Sequence, residues 1–376
     1  MDAPRSRPVR RRTVLTAAGA VAASVTAARA SAAERPRTGS AALTARQTAG
    51  QRVIYSYPGL TVPSALLTTI SAGEAAGVIF FGENISSESQ ITSVIKQLVQ
   101  ANASSPVRAP LLLMTDQEGG EVRRLPGAPT LSEKQVGEAA QPQTAAAQAG
   151  TGAGQNLGGV GMNVNLAPVL DVYYTAGNFI DEYQRSFSND PSTVSSLGQA
   201  FITAQQGTGV AATAKHFPGL GAATASQDTD AGPVTLTQSL SKLRSVDEAP
   251  YQAAIAAGVR LVMVSWAVYP ALDASAPAGL SATVVQQELR GRLGYTGVTV
   301  TDALEAGAIS SSYSTAQRAV LAAGAGMDLL LCSARATSQG DAAAQALADA
   351  YTGGQLPAAD FDAAVQRVTA LRTSLS

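Results

Sequence analysis

Gly209-Val210-Ala211-Ala212-Thr213-Ala214-Lys215-His216-Phe217-Pro218-Gly219 is a short run of small and apolar residues that ends in a cation, an imidazole and a Phe-Pro-Gly turn. The same plan recurs along the chain. Residues 52–56, 77–81, 110–115, 161–166, 258–264, 297–301 and 327–332 are also apolar, β-rich and of strand length. Between most of them lie amphipathic or Ala-rich stretches of helical length, at 91–101, 192–206, 247–257, 282–293 and 314–323, with a closing one at 358–371. Eight strand-like runs alternating with helices predict an α/β fold, a single-domain (β/α)8 TIM-like barrel over residues 46–376. An open doubly wound sheet is the alternative. No phosphate-binding glycine fingerprint follows the first run, which counts against a dinucleotide fold. The Ala/Gln/Gly-rich residues 138–154 read as a helix, and the chain shows neither an internal repeat nor an interior linker.

In such a barrel, chemistry sits at the C-terminal ends of the strands. The unusual polar residues fall there. The third run leads into Asp116-Gln117-Glu118-Gly119-Gly120-Glu121-Val122-Arg123-Arg124 and the fourth into Asn165 and Pro168-Val169-Leu170-Asp171. The fifth delivers Lys215-His216 and the seventh Thr301-Asp302-Ala303-Leu304-Glu305. Each has a structural reading: Asp116 or Asp302 as a cap, Lys215-His216 as a buried ion pair with a bonded imidazole, Asp171 as a scaffold residue. Asp247-Glu248, before Ala249-Pro250-Tyr251, read as a helix N-terminus. Recurrence at the same end of successive strands favours a functional rim.

Composition narrows the function. Lys plus Arg is 26 against 27 for Asp plus Glu, so there is no basic excess of the kind a nucleic-acid binder carries. The one cysteine, Cys332, excludes an intrachain disulfide and a Cys-based zinc site; within an apolar run it reads as a buried thiol. With one histidine, His216, a His-based metal site is not expected. Nothing in the sequence indicates an oligomeric state.

The N-terminus reads as a targeting segment. Arg10-Arg11-Arg12-Thr13-Val14-Leu15 precedes a small, mildly apolar run to residue 28 and the Ala-x-Ala sites Ala28-Arg29-Ala30 and Ala30-Ser31-Ala32. Paired arginines before Thr-Val-Leu resemble a twin-arginine signal, with a general secretory signal as the alternative. Residues 1–32 are thus expected to be an export signal and 33–45 a flexible leader, which makes the protein secreted or extracytoplasmic. The apolar run is too short for a membrane span and no Cys follows it, so no stable membrane anchor is expected.

Taken together, these segments resemble glycoside hydrolase family 3, in its bacterial β-N-acetylglucosaminidase branch. The resemblance runs through Gly77-Val78-Ile79-Phe80-Phe81-Gly82-Glu83-Asn84, Asp116-Gln117-Glu118-Gly119-Gly120 with Arg124, Asn165-Leu166-Ala167-Pro168-Val169-Leu170-Asp171-Val172, Arg185-Ser186-Phe187, Lys215-His216-Phe217-Pro218-Gly219, Tyr269-Pro270-Ala271-Leu272-Asp273 and Val300-Thr301-Asp302. It implies a lone barrel, retention of anomeric configuration, no metal or organic cofactor, and a carbohydrate substrate carrying β-linked N-acetylhexosamine, such as a peptidoglycan fragment or chitin-like oligomer. It implies sugar binding by Asp116, Arg124, Arg185, Lys215 and His216, and a nucleophilic Asp302.

One segment departs from the family. There, the Lys-His-Phe-Pro-Gly motif precedes a loop ending in Asp-Ser-His, whose His is the acid/base. Here the loop reads Gly221-Ala222-Ala223-Thr224-Ala225-Ser226-Gln227-Asp228-Thr229-Asp230. Three readings compete. Asp230 or Asp228 is a carboxylic acid/base, which restores a two-carboxylate arrangement. Proton transfer is lost and only good leaving groups are cleaved. Or the barrel is a catalytically impaired, exported carbohydrate-binding protein. Substrate-assisted hydrolysis by an adjacent acidic pair has only Asp181-Glu182 and Asp247-Glu248 to draw on.

Overall fold

The computed structural model describes residues 42–375. The predicted export signal and residues 33–41 of the predicted leader lie outside the described residues. Thr44 caps the first helix, Ala45–Gly50, through a reciprocal pair of hydrogen bonds with Gln47.

Eight parallel strands close on themselves: β1 (Val53–Tyr55), β2 (Gly77–Ile79), β3 (Leu112–Thr115), β6 (Val164–Asn165), β7 (Ala211–Phe217), β8 (Leu261–Val264), β9 (Val298–Ala303) and β10 (Leu329–Leu331). Two further strands, β4 (Gln117–Gly119) and β5 (Val122–Arg123), form an antiparallel hairpin after β3. The hairpin turns through Gly119 and Gly120, whose φ angles of 118° and 54° suit glycine alone. Closure is decided at β1, where Ile54 pairs with Gly77 on one side and Val53 with Leu330 on the other. The open-sheet alternative is therefore excluded, and the eight predicted runs are the eight barrel strands.

The side-chain period of two builds both cores at once. Ile54, Ile79, Leu112, Met114, Val164, Leu261, Met263, Val298, Val300, Leu329 and Leu331 fill the lumen. Their neighbours Val53, Tyr55, Val78, Leu113, Val262, Val264 and Leu330 face the helices. Each aliphatic side chain so buried is worth about 1.5–3 kcal/mol before entropy is counted. The helices present matching stripes. In Glu88–Ala103, Ile91, Val94, Ile95 and Leu98 are buried, and Ser87 accepts a hydrogen bond from the Gln90 N–H.

Several elements differ from expectation. β7 and β9 run three and two residues further than the predicted runs, because Phe217 and Ala303 still pair with Val264 and Leu331 beyond register irregularities that hold Lys215, His216 and Asp302. Residues 283–292, expected as an α-helix, wind as a π-helix, as do residues 243–247 before Ala249–Ala256. The connection from β3 to β6 carries the hairpin and two helices, Glu133–Gly137 and Pro142–Val160. A further helix, Thr337–Thr352, which was not among the predicted stretches, follows β10. The final helix, Ala358–Ser374, closes the N-terminal mouth of the barrel. Its Val368 and Leu371 join the lumenal core, and the Arg372 guanidinium donates to the Ala109 and Pro110 carbonyls at 2.9 and 2.6 Å. Among the described residues, no helix is long and apolar enough to cross a membrane.

Candidate active site

The strand period that fills the lumen also selects the polar rim. Leu112 and Met114 point inward, and Asp116 is next in phase; Val298 and Val300 point inward, and Asp302 is next. On β7, Ala211 is lumenal and Lys215 shares its phase. Where the lumenal layers end, these side chains line a cavity of about 410 Å³ at the C-terminal face of the barrel. Asp116, Arg124, Arg185, Lys215, His216, Asp228, Asp230 and Asp302 all border it, so the residues expected to bind sugar or to carry the chemistry converge on one space.

One wall is a charge network. The Lys215 ammonium, 2% exposed, lies 2.7 Å from both the Asp116 and the Glu118 carboxylates. Arg185 donates twice to Glu118, from Nε and Nη2, each at 2.9 Å. Burial alone would push Glu118 up. The charges and hydrogen bonds of Arg185 and Lys215 outweigh it and hold the carboxyl at about 2. Burial likewise disfavours the charged Lys215, and Asp116 and Glu118 outweigh that to raise its pKa. Glu118 carried no assigned role in the sequence. Its signal was available, two residues after Asp116 and beside the paired glycines. Among the described residues Asp116 caps no turn; its carboxylate holds Lys215, and its backbone carbonyl takes the Arg124 N–H at 3.2 Å. Arg124 borders the cavity, and its buried Nε has no partner among the described residues.

The His216 imidazole is fixed from behind. Its Nδ1 lies 2.8 Å from Asp171 Oδ2, while Asp171 Oδ1 accepts the Leu220 N–H at 2.7 Å. Asp171 is fully buried and thus scaffolds the imidazole, as its structural reading required. With Nδ1 engaged, Nε2 is the nitrogen left for the cavity.

The opposite wall is acidic. Asp302 Oδ1 accepts the N–H of Ala303 at 2.8 Å and caps no helix. In the departing loop, Asp228 Oδ1 accepts the Asp230 N–H at 2.8 Å, an Asx turn that shapes the segment. The Asp230 side chain reaches solvent through the cavity, yet the surrounding protein strips part of its hydration. That desolvation, followed by repulsion from Asp302, Asp228 and Glu305, raises its pKa from the usual carboxylate range to about 6. Glu305 had no assigned role either. It is pinned by Ser333 and Gln339 at 2.8 and 3.2 Å, and adds a fixed negative charge to this wall.

The adjacent acidic pairs are elsewhere. Asp181 binds Lys134 at 2.6 Å; Asp247 accepts from Tyr174 at 2.6 Å; Glu248 is paired with Arg292 at the start of Ala249–Ala256. None of these carboxylates borders the cavity. Among the described residues, no group of three or more His, Cys, Asp or Glu is arranged to hold a metal ion.

Residues 59–371 match the family model described as the glycosyl hydrolase family 3 N terminal domain. The chain belongs to glycosyl hydrolase family 3. An "Uncharacterized secreted glycosyl hydrolase" of Arthroderma benhamiae is 47% identical to this family 3 chain over 330 residues, which is 87% of this chain and 93% of that protein. "Beta-hexosaminidase A" of Pseudoalteromonas piscicida is 32% identical over 338 residues, covering 84% of this chain and 56% of that one. Among solved structures, a family 3 beta-N-acetylglucosaminidase from Paenibacillus sp. str. FPU-7 superposes with a TM-score of 0.84 at 36% identity, over 89% of this chain and 63% of that one. The family 3 chain thus spans less than two thirds of the length of the latter two proteins.

Proposed function

We propose that the protein is a retaining β-N-acetylhexosaminidase that releases N-acetylglucosamine from glycans such as peptidoglycan fragments or chitin-like oligomers. The observation that carries this reading is the pairing, in one cavity, of the strand-borne Asp302 with Asp230, a carboxyl whose pKa of about 6 lets it hold a proton near neutrality. The names of the relatives support the hexosamine substrate.

The convergence of these side chains on one cavity supports the following roles. Asp116, Arg124, Arg185, Lys215 and His216 hold the sugar: the carboxylate accepts from hydroxyls, the cations donate, and the imidazole presents Nε2. An Asp302 oxygen attacks the anomeric carbon and forms an ester as the glycosidic C–O bond breaks. The leaving oxygen takes its proton from Asp230. In the second step Asp230 takes a proton from water, the resulting hydroxide bonds to the anomeric carbon, and the ester breaks to regenerate the Asp302 carboxylate. No step uses a metal or an organic cofactor. Turnover of an aryl β-N-acetylglucosaminide with trapping of a glycosyl-enzyme tests the reading. Tight sugar binding with no turnover would replace it with the impaired, carbohydrate-binding alternative.

The pH dependence has a defined sign. Asp230 must carry a proton in the first step, so kcat/KM for an alkyl or sugar aglycone falls as pH rises through about 6. A dinitrophenyl aglycone, which leaves without protonation, lacks this limb. Asp228→Asn keeps the Oδ1 acceptor of the turn but removes one repelling charge, so the limb moves to lower pH. An unchanged limb in that variant would remove Asp228 from the set of groups that tune Asp230.

We assign residues 1–32 to an export signal of twin-arginine type, and residues 33–45 to a leader ahead of a barrel domain that runs to residue 376. The secreted relative supports export. Replacing both Arg11 and Arg12 with Lys should block secretion of the protein; normal secretion of that variant would point to the general secretory route.

A further inference from the structure

The loop that carries Asp228 and Asp230 is tied directly to the chain that follows Asp302. The Gly307 N–H donates to the Asp230 carbonyl at 2.9 Å, and the Ala308 N–H donates to the Thr229 carbonyl at 3.0 Å. Both amides open the short helix Gly307–Ser310, where the first N–H groups have no carbonyl of their own helix to bond. The loop supplies those carbonyls. Its interior is equally constrained. Ala231 and Gly232 both donate to the Asp228 carbonyl, at 3.2 and 3.0 Å, and the Thr229 side chain is 4% exposed. The close approach requires a bare α-carbon at position 307. A Cβ there would lie 2.5 Å from the Ala231 carbonyl oxygen and 2.8 Å from that of Asp230. Both are backbone atoms, with no rotamer that could turn aside.

We infer that Gly307 is a positioning residue, which docks the acid/base loop against the segment following the nucleophile strand and so assembles the two carboxylates before substrate arrives. This rests on the reading of Asp230 as the acid/base. An added methyl group pushes the loop backbone outward by a distance on the order of 1 Å, a displacement that costs a catalytic group up to about 10²-fold. Gly307 does not itself line the cavity, so it acts on the chemistry through the loop it holds.

The test compares Gly307→Ala with Asp230→Ala on two N-acetylglucosaminides, one with an alkyl and one with a dinitrophenyl aglycone. Gly307→Ala should lower kcat/KM for the alkyl substrate by about 10- to 100-fold while changing the dinitrophenyl value by less than about threefold. A purely structural defect would lower both alike, and equal losses, or none, would overturn the inference. Asp230→Ala separates the two claims. If it shows leaving-group dependence and Gly307→Ala does not, only the positioning role fails. If Asp230→Ala itself shows none, the acid/base reading fails and the inference with it. Hydrogen exchange of the wild-type protein provides a check that survives misfolding of the variant. The Gly307 and Ala308 amides should be protected in the absence of ligand, and exchange of both at the rate of open chain would overturn docking.

Discussion

Asp302→Asn should leave a folded protein that binds N-acetylglucosamine and turns nothing over. The substitution is nearly isosteric, and the one hydrogen bond the side chain makes among the described residues, from the Ala303 N–H to Oδ1, is retained by an amide oxygen. Packing is therefore almost unchanged. What is lost is the oxygen able to form an ester with the anomeric carbon. Removing a nucleophile costs several kcal/mol of barrier, and a fall of about 10⁴-fold in kcat corresponds to about 5.5 kcal/mol. Retention of more than about a tenth of the wild-type rate would contradict the role. A second consequence separates this variant from a general lesion. Asp302 is the first of the charges that hold Asp230 up at about 6, so its neutralisation should bring Asp230 back toward ordinary aspartate behaviour. Because a raised carboxyl pKa withdraws stability as pH rises from the ordinary aspartate value up to about 6, and that loss is complete above it, relief of the repulsion should make the variant more stable than wild type above pH 6.

Asp230→Ala should divide substrates by their leaving groups. With an alkyl or sugar aglycone, departure of the alkoxide without a proton is costly, and the loss is the full worth of general acid catalysis, about 10²–10⁴-fold. With a dinitrophenyl aglycone the first step proceeds nearly unaided, the ester accumulates, and the second step becomes slow because no carboxylate deprotonates water. Azide, already an anion, attacks the ester without a base, so it should accelerate that step and yield the β-glycosyl azide. Wild-type behaviour on alkyl leaving groups would remove Asp230 from the mechanism. Leaving-group dependence in Asp228→Ala instead would exchange the two roles.

The parts of this molecule that could be read from the sequence are those set by a period of two. Alternation along 298, 300 and 302, and along 112, 114 and 116, places Asp302 and Asp116 on the lumen without further information. Where a strand is interrupted, this reading weakens. The ladder of β7 shifts register between Ala214 and Phe217, so both Lys215 and His216 reach the cavity although they are consecutive. Phase arguments give one or the other. Arg185 lies on a long connection with no period at all, and its place is set by Glu118, a contact 67 positions away in the chain. Glu118 could be flagged by its spacing from Asp116, but its role and that of Glu305 depend on partners from distant segments, Arg185 and Lys215 for one and Ser333 and Gln339 for the other. The π-helical segments were equally hidden, because their apolar spacing is compatible with an ordinary helix.

The last helix has a consequence in time as well as in space. Val368 and Leu371 complete the lumenal core, and the Arg372 side chain holds carbonyls more than 260 positions earlier in the chain. β1 also finds one of its two partners, β10, only far along the chain, where Val53 pairs with Leu330. A nascent chain that stops short of β10 therefore contains no closed barrel: the sheet still has two unpaired edges, and its floor is open to water. Edges of that kind invite aggregation in a chain that lingers half-made, and contacts at such sequence separation form late and slowly. Closure waits for β10 and the helix Ala358–Ser374 to be made, so the barrel is a property of contacts that span nearly the whole folded domain. Any process that sorts folded from unfolded chains would accordingly read, in this protein, the completion of that helix.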